Sequence, residues 1–133
     1  MQPESILIVD DNPVNMKLVS FLLTNKGFEV RSASGALEAL EVLRTHKPRL
    51  ILMDLQMPGI DGFELARRLK ADPTTRDIVI LALTAYAMRG DEQRALAAGC
   101  DGYVAKPIDT RTLPSIVSRF LSGERPLGPV GGA

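Results

Sequence analysis

The stretch Leu50-Ile51-Leu52-Met53-Asp54 decides the fold: four consecutive apolar residues that end in a carboxylate. An apolar run without alternation is what a strand needs when helices cover both of its faces, as in a parallel sheet. Upstream, Ile6-Leu7-Ile8-Val9 has the same character and stops at Asp10-Asp11. Downstream, the run over residues 78–83 ends at Thr84, and a short run over 103–105 ends at Lys106-Pro107. A weaker strand is expected over 28–33.

The segments between these runs carry apolar residues at helical spacing. Asn12-Pro13 reads as a helix start, because proline in the first turn loses no hydrogen bond. Val14, Leu18, Phe21 and Leu22 are the expected buried stripe of this helix, and Gly27 ends it. Ser34 is the expected N-cap of a second helix, with Leu37, Leu40 and Leu43 facing inward. After the turn-forming loop Met57-Pro58-Gly59-Ile60-Asp61-Gly62, a third helix carries Phe63, Leu65, Ala66 and Leu69. A fourth is expected over 90–98, stopped by Gly99. A fifth is expected over 110–122, with Ile116, Val117, Phe120 and Leu121 inward and Pro114 tolerated near its first turn. Strict alternation of strand and helix predicts an α/β domain: a single five-stranded parallel sheet, doubly wound.

Composition narrows the function. The chain has 133 residues, 45% hydrophobic and 24% charged, which suits one folded domain over 1–122. Residues 123–133 are rich in Gly and Pro and are expected to form a disordered tail or a linker stub. Sixteen basic residues balance sixteen acidic ones, so direct nucleic-acid binding is not expected. No apolar run reaches bilayer length, and a cytoplasmic protein without membrane contact is expected. Cys100 and His46 are the sole residues of their types, which excludes an internal disulfide and a clustered thiolate–imidazole zinc site.

The chemistry sits where polar residues interrupt the apolar runs. Asp10, Asp11, Asp54, Thr84 and Lys106 all fall at the C-terminal ends of expected strands, which share one edge in an open α/β sheet. Carboxylates held a few Å apart repel by about 4 kcal/mol per close pair at an effective dielectric near 20. A divalent cation relieves that repulsion, and hard oxygen ligands suit Mg²⁺. Beside such a cation and the Lys106 ammonium, Asp54 could act as a nucleophile toward a phosphoryl group.

Four motifs in order, ILIVDDN, LILMDLQMPGIDG, LALTAYA and YVAKP, resemble the bacterial response-regulator receiver domain across residues 5–122. The resemblance implies a flavodoxin-like (βα)5 fold with strand order 2-1-3-4-5. It implies that Asp10 and Asp11 hold Mg²⁺, that Asp54 is phosphorylated, and that the backbone carbonyl of Gln56 completes the metal shell. Thr84 would hydrogen-bond the phosphoryl group, Lys106 would pair with it, and a cis bond would precede Pro107. Tyr103 would be the aromatic that swings inward on activation, and Gln56 and Tyr86 would tune hydrolysis. The segments NPVNMKL and TAYAMRGDEQRALAAGCDGYVAKP are most similar to stand-alone receivers of the DivK type and to receivers of hybrid kinases.

By the same resemblance, the partners are a histidine kinase or histidine phosphotransfer protein, and a downstream target on the face made by helix 4, strand 5 and helix 5. The chain would be a monomer or a weak phosphorylation-dependent dimer, and would catalyse only its own phosphorylation and dephosphorylation. Taken singly, each site residue has a plainer reading: Asp10 and Asp11 as helix caps, Asp54 as a loop residue, Lys106 as a solvated charge, and Tyr103 as packing. Their joint placement at strand ends favours the shared pocket. Two rivals are a constitutive adaptor and a flavodoxin-like phosphatase or nucleotide enzyme; the latter lacks a glycine-rich phosphate loop after the first strand, where Asp-Asn-Pro stands.

Overall fold

The computed structural model describes residues 4–55, 62–84, 89–105 and 109–123. Ten elements alternate along it: β1 (Ser5–Val9), α1 (Pro13–Asn25), β2 (Glu29–Ala33), α2 (Ala36–Thr45), β3 (Leu50–Asp54), α3 (Gly62–Ala71), β4 (Val79–Thr84), α4 (Arg89–Ala97), β5 (Gly102–Ala105) and α5 (Leu113–Leu121). All strand pairs are parallel, and the sheet order is β2-β1-β3-β4-β5. Among the described residues, no helix is long and apolar enough to cross a membrane.

Side chains alternate across a strand, so each apolar run feeds two cores. Leu7, Val9, Ile51, Met53, Ile80 and Ala82 meet the inner residues of α2, α3 and α4 on one face. Ile6, Ile8, Leu50, Leu52, Leu81 and Leu83 meet α1 and α5 on the other. β1 and β3 are buried throughout their apolar stretches, which is why neither shows polar alternation. β2 lies at the edge and is largely exposed, the reason for its weak signal.

Two helices present a different face from the expected one. On α1 the buried residues are Val19 and Leu23, with Met16 and Leu22 partly covered, whereas Val14 is 73% and Phe21 64% exposed and Leu18 is also exposed. Lys17 is the sole charged residue in PVNMKLVSFLLTN, so apolar side chains point nearly all round the helix and periodicity does not choose a face. On α2, Ala36 and Ala39 are buried, Leu40 and Leu43 pack partly on the core, and Leu37 is 72% exposed. Small alanines bring this helix close to the sheet and leave the leucines at its flanks.

The ends of the helices have local causes. Asn12 caps α1, its Oδ1 accepting from the N–H groups of Val14 at 2.9 Å and Asn15 at 3.2 Å. Ser34 is not the N-cap of α2. Gly35 holds that position, and the Glu38 carboxylate reaches back to accept from Ser34 N at 3.1 Å and Ser34 Oγ at 2.6 Å. These bonds hold the Glu38 carboxyl below its usual range, with the Ser34 hydroxyl the larger cause. α5 starts later than expected because Asp109 captures the preceding amides: its Oδ1 accepts from Arg111 N at 2.9 Å, and its carbonyl from Thr112 N at 3.2 Å and Leu113 N at 3.1 Å. Pro114 then falls in the first helical turn.

At the edge of the sheet where strands begin, Lys70 of α3 ties three segments together. Its Nζ donates to the carbonyls of Arg76 at 3.1 Å and Ile78 at 2.8 Å and to Asp101 Oδ2 at 3.0 Å, while that same oxygen accepts from Ile80 N at 2.8 Å. Cys100, next to this network, is buried as a small apolar residue.

Candidate metal centre

Strand register builds the centre. Val9 pairs with Met53, so the next residues, Asp10 and Asp54, stand at neighbouring strand ends, and Asp54 in turn pairs with Leu83. Two bonds orient Asp10: its N–H donates to Ala33 O at 3.1 Å, and its Oδ1 accepts from Asn12 N at 2.9 Å. Asn12 therefore ties the carboxylate to the first turn of α1 as well as capping that helix. Leu55 N donates to Leu83 O at 3.1 Å, extending the ladder one residue past Asp54.

Asp10, Asp11 and Asp54 each offer an oxygen such that all three lie within 4.8 Å of one another. Asp10 is 1% and Asp54 4% exposed, while Asp11 is open to solvent. Carboxylates packed this closely repel one another. The donor set is all hard oxygen with an open side, which fits a small divalent cation that keeps part of its water shell, as Mg²⁺ does.

Of the other expected site residues, Thr84 is the last of β4, pairs with Ala105 through the backbone, and follows the Leu83 that faces Asp54. Gln56, Tyr86, Lys106 and Pro107 lie outside the described residues. Tyr103 is already turned inward, 4% exposed, within the core shared by α2, α3 and α4.

Groups elsewhere do not join this site. His46, at the C-cap of α2, has Nε2 2.6 Å from Ser5 Oγ at the opposite edge of the sheet. Burial, with Asp101 adding to it, pushes the Cys100 thiol up to about 12, so it stays protonated. A cleft of about 570 Å³ between α2 and the end of α3 contains none of the three acids. Of its lining residues, Arg44 pairs with Glu41 at 3.2 Å and Lys47 with Asp77 outside the cleft at 2.9 Å.

One neighbour of the centre escaped the sequence reading. Gly62, at the start of α3, lies against the Asp54 carbonyl: a Cβ there would stand 2.6 Å from Asp54 O and 2.8 Å from Leu55 Cα. The sequence marks Gly62 as a turn former but carries no sign of this contact.

A parallel doubly wound sheet with an acid-lined pocket at its C-terminal edge defines a class of α/β switch proteins. The chain belongs to the response regulator receiver domain family, whose model matches residues 6–118. It is thus a phosphorylatable receiver of two-component signalling. It is similar to the polar-differentiation response regulator DivK of Brucella anthropi, 42% identical over 119 residues, covering 90% of this chain and 97% of that protein. Among solved structures it is similar to the receiver domain of sensor histidine kinase PA1611 from Pseudomonas aeruginosa, which has a magnesium ion coordinated in its active site cleft. That match has a TM-score of 0.83 and 33% identity over 91% of this chain and 99% of the other. The chemotaxis protein CheY4 of Vibrio cholerae matches with a TM-score of 0.83 and 29% identity over 88% and 98% of the two chains.

Proposed function

We propose that Asp54 accepts a phosphoryl group from a phosphohistidine on a kinase or phosphotransfer protein, with Asp10, Asp11, Asp54 and the Gln56 carbonyl holding Mg²⁺. What carries this reading is the meeting of three carboxylates from distant parts of the chain within 4.8 Å, two of them buried. A carboxylate oxygen of Asp54 attacks phosphorus as the P–N bond breaks, and the departing imidazole nitrogen keeps the bonding electron pair. Bound Mg²⁺ supplies charge neutralisation at the phosphoryl oxygens. Lys106 pairs with the new phosphate and Thr84 hydrogen-bonds it, and the inward Tyr103 is held by the resulting shift of the segment after β4. Loss of the phosphoryl group to water returns the domain to rest.

Two surfaces fit the partners. The exposed Val14, Leu18 and Phe21 form an apolar stripe on α1 that begins beside Asp11, so a helix docked there would bring a phosphohistidine to Asp54. On the α4-β5-α5 face, exposed Leu96 offers an apolar contact for a downstream protein. The receiver spans residues 1–122, and it acts in the cytoplasm.

The test is to add Mg²⁺ and beryllofluoride and follow backbone amide resonances in wild type and Asp54→Ala. Saturable shifts in wild type that vanish in the variant are expected, together with a hydroxylamine-labile phosphoryl group after incubation with a small acyl phosphate. Spectra unchanged by beryllofluoride in wild type refute the proposal.

A further inference from the structure

We propose that Gly62 is a positioning residue for the phosphoacceptor: the start of α3 rests on the Asp54 and Leu55 backbone and sets where the Asp54 carboxylate stands. The inference rests on the phosphoacceptor reading above. Asp54 is held from two sides. On one, Leu55 N donates to Leu83 O of β4 at 3.1 Å. On the other, Gly62 N donates to Leu55 O at 3.3 Å, and the α-carbon of Gly62 sits so close that an added Cβ would meet Asp54 O at 2.6 Å, Leu55 Cα at 2.8 Å and Leu55 Cδ2 at 3.1 Å. Two of these three atoms are backbone and cannot rotate away.

Gly62 does not need to be glycine for its torsion angles, because the described glycines with positive φ are Gly27, Gly99 and Gly123. Its lack of a side chain serves close approach. Relieving an alanine there from 2.6 Å to the 3.4 Å of ordinary contact requires a displacement of about 0.8 Å, taken up by α3, by the end of β3 or by both. α3 has little freedom, since Phe63, Leu65, Ala66 and Leu69 are all buried, and the Phe63 ring lies 4.1 Å beneath the Arg94 guanidinium of α4. Asp54 therefore takes a large share of the shift. Misplacing a reacting group by about 1 Å costs on the order of a hundredfold in rate.

The experiment compares Gly62→Ala with Gly99→Ala. The second variant is also strained, by φ +101 and by a Cβ 2.7 Å from Lys70 Cγ, yet it lies at the far edge of the sheet. Both are studied at a temperature where circular dichroism shows them folded. Beryllofluoride affinity is expected to fall at least tenfold in Gly62→Ala and to stay within about twofold of wild type in Gly99→Ala. A crystal structure of unliganded Gly62→Ala is expected to show the Asp54 carboxylate moved away from Asp10 and Asp11. An unmoved carboxylate, or equal losses in both variants, overturns the role. Should Gly62→Ala not fold, wild type with beryllofluoride bound decides: Gly62 must still touch the Asp54 carbonyl, and parting by about 1 Å overturns the role. A wild type that takes no beryllofluoride would strike the phosphoacceptor reading instead, and the carboxylate position in unliganded Gly62→Ala would still judge Gly62.

Discussion

Asp10→Asn should make the metal-free protein more stable. The change removes one negative charge and keeps Oδ1 as the acceptor for Asn12 N at 2.9 Å, so the local geometry survives. Oxygens of Asp10 and Asp54 lie within 4.8 Å, and at an effective dielectric of about 20 two unit charges at that separation repel by about 3.5 kcal/mol. Both groups are buried, so solvent screens the pair little. Against this, a charge-assisted bond to Asn12 N becomes a neutral one, a loss of about 1 kcal/mol. The balance of these two terms is a gain of about 1–3 kcal/mol, or roughly 3–10 °C in melting temperature for a domain of this size. The assay is thermal unfolding in chelator and again in excess MgCl2. In chelator the variant should melt above wild type. With Mg²⁺ present the gap should close or reverse, because ligand binding stabilises wild type by about 1.4 kcal/mol per tenfold excess over Kd and the variant lacks one of the carboxylates proposed to hold the ion. A variant that melts at or below wild type in chelator would refute the idea that these closely placed carboxylates repel one another.

Phe21→Glu should leave stability within about 0.5 kcal/mol, since the ring is exposed, and should slow phosphotransfer from a protein donor while leaving reaction with a small acyl phosphate unchanged. Equal slowing with both donors would remove α1 from the docking surface. Lys70→Met should cost about 2–4 kcal/mol in urea unfolding, because it strips three acceptors of a partly buried charged donor. Lys47→Ala, which breaks an exposed pair with Asp77, should change stability by under about 0.5 kcal/mol, and the contrast tests whether burial decides the worth of each pair. Cys100 should resist thiol reagents at pH 8 until the protein unfolds, since burial raises its thiol to about 12. The folded value lies above the ordinary 9.0, so this thiol's contribution to stability is fully present below pH 9 and is lost as pH climbs from there toward 12; a Cys100→Ala variant with the same pH profile over that window would contradict the burial of this thiol.

What could be read from the sequence divides along a physical line. Strand ends were legible because a strand covered on both faces must be apolar throughout, so the first carboxylate after Val9 or Met53 marks the sheet edge without any knowledge of the rest of the fold. Asp10, Asp11 and Asp54 needed only that rule and the shared edge of parallel strands to be brought together. Helix faces were less legible. α1 is apolar on nearly every side, and the choice of Val19 and Leu23 over Val14 and Phe21 was made by the orientation of the helix on the sheet. The cap of α2 went to Gly35 because Glu38 supplied Ser34 with a different bond, a competition between neighbours that composition does not rank.

The same division explains why Gly62 was visible as a turn residue and hidden as a partner of Asp54. Its contact depends on how close α3 comes to the end of β3, and that distance is set by buried Phe63, Leu65, Ala66 and Leu69 packing against the sheet. A pocket of this kind thus has two layers of origin. Its ligand oxygens follow from local pattern and register, while their exact spacing depends on helix packing that no single motif contains. Substitutions in the first layer should abolish metal or phosphoryl binding outright. Those in the second, such as Gly62→Ala, should weaken it by degrees while every ligating residue remains in place.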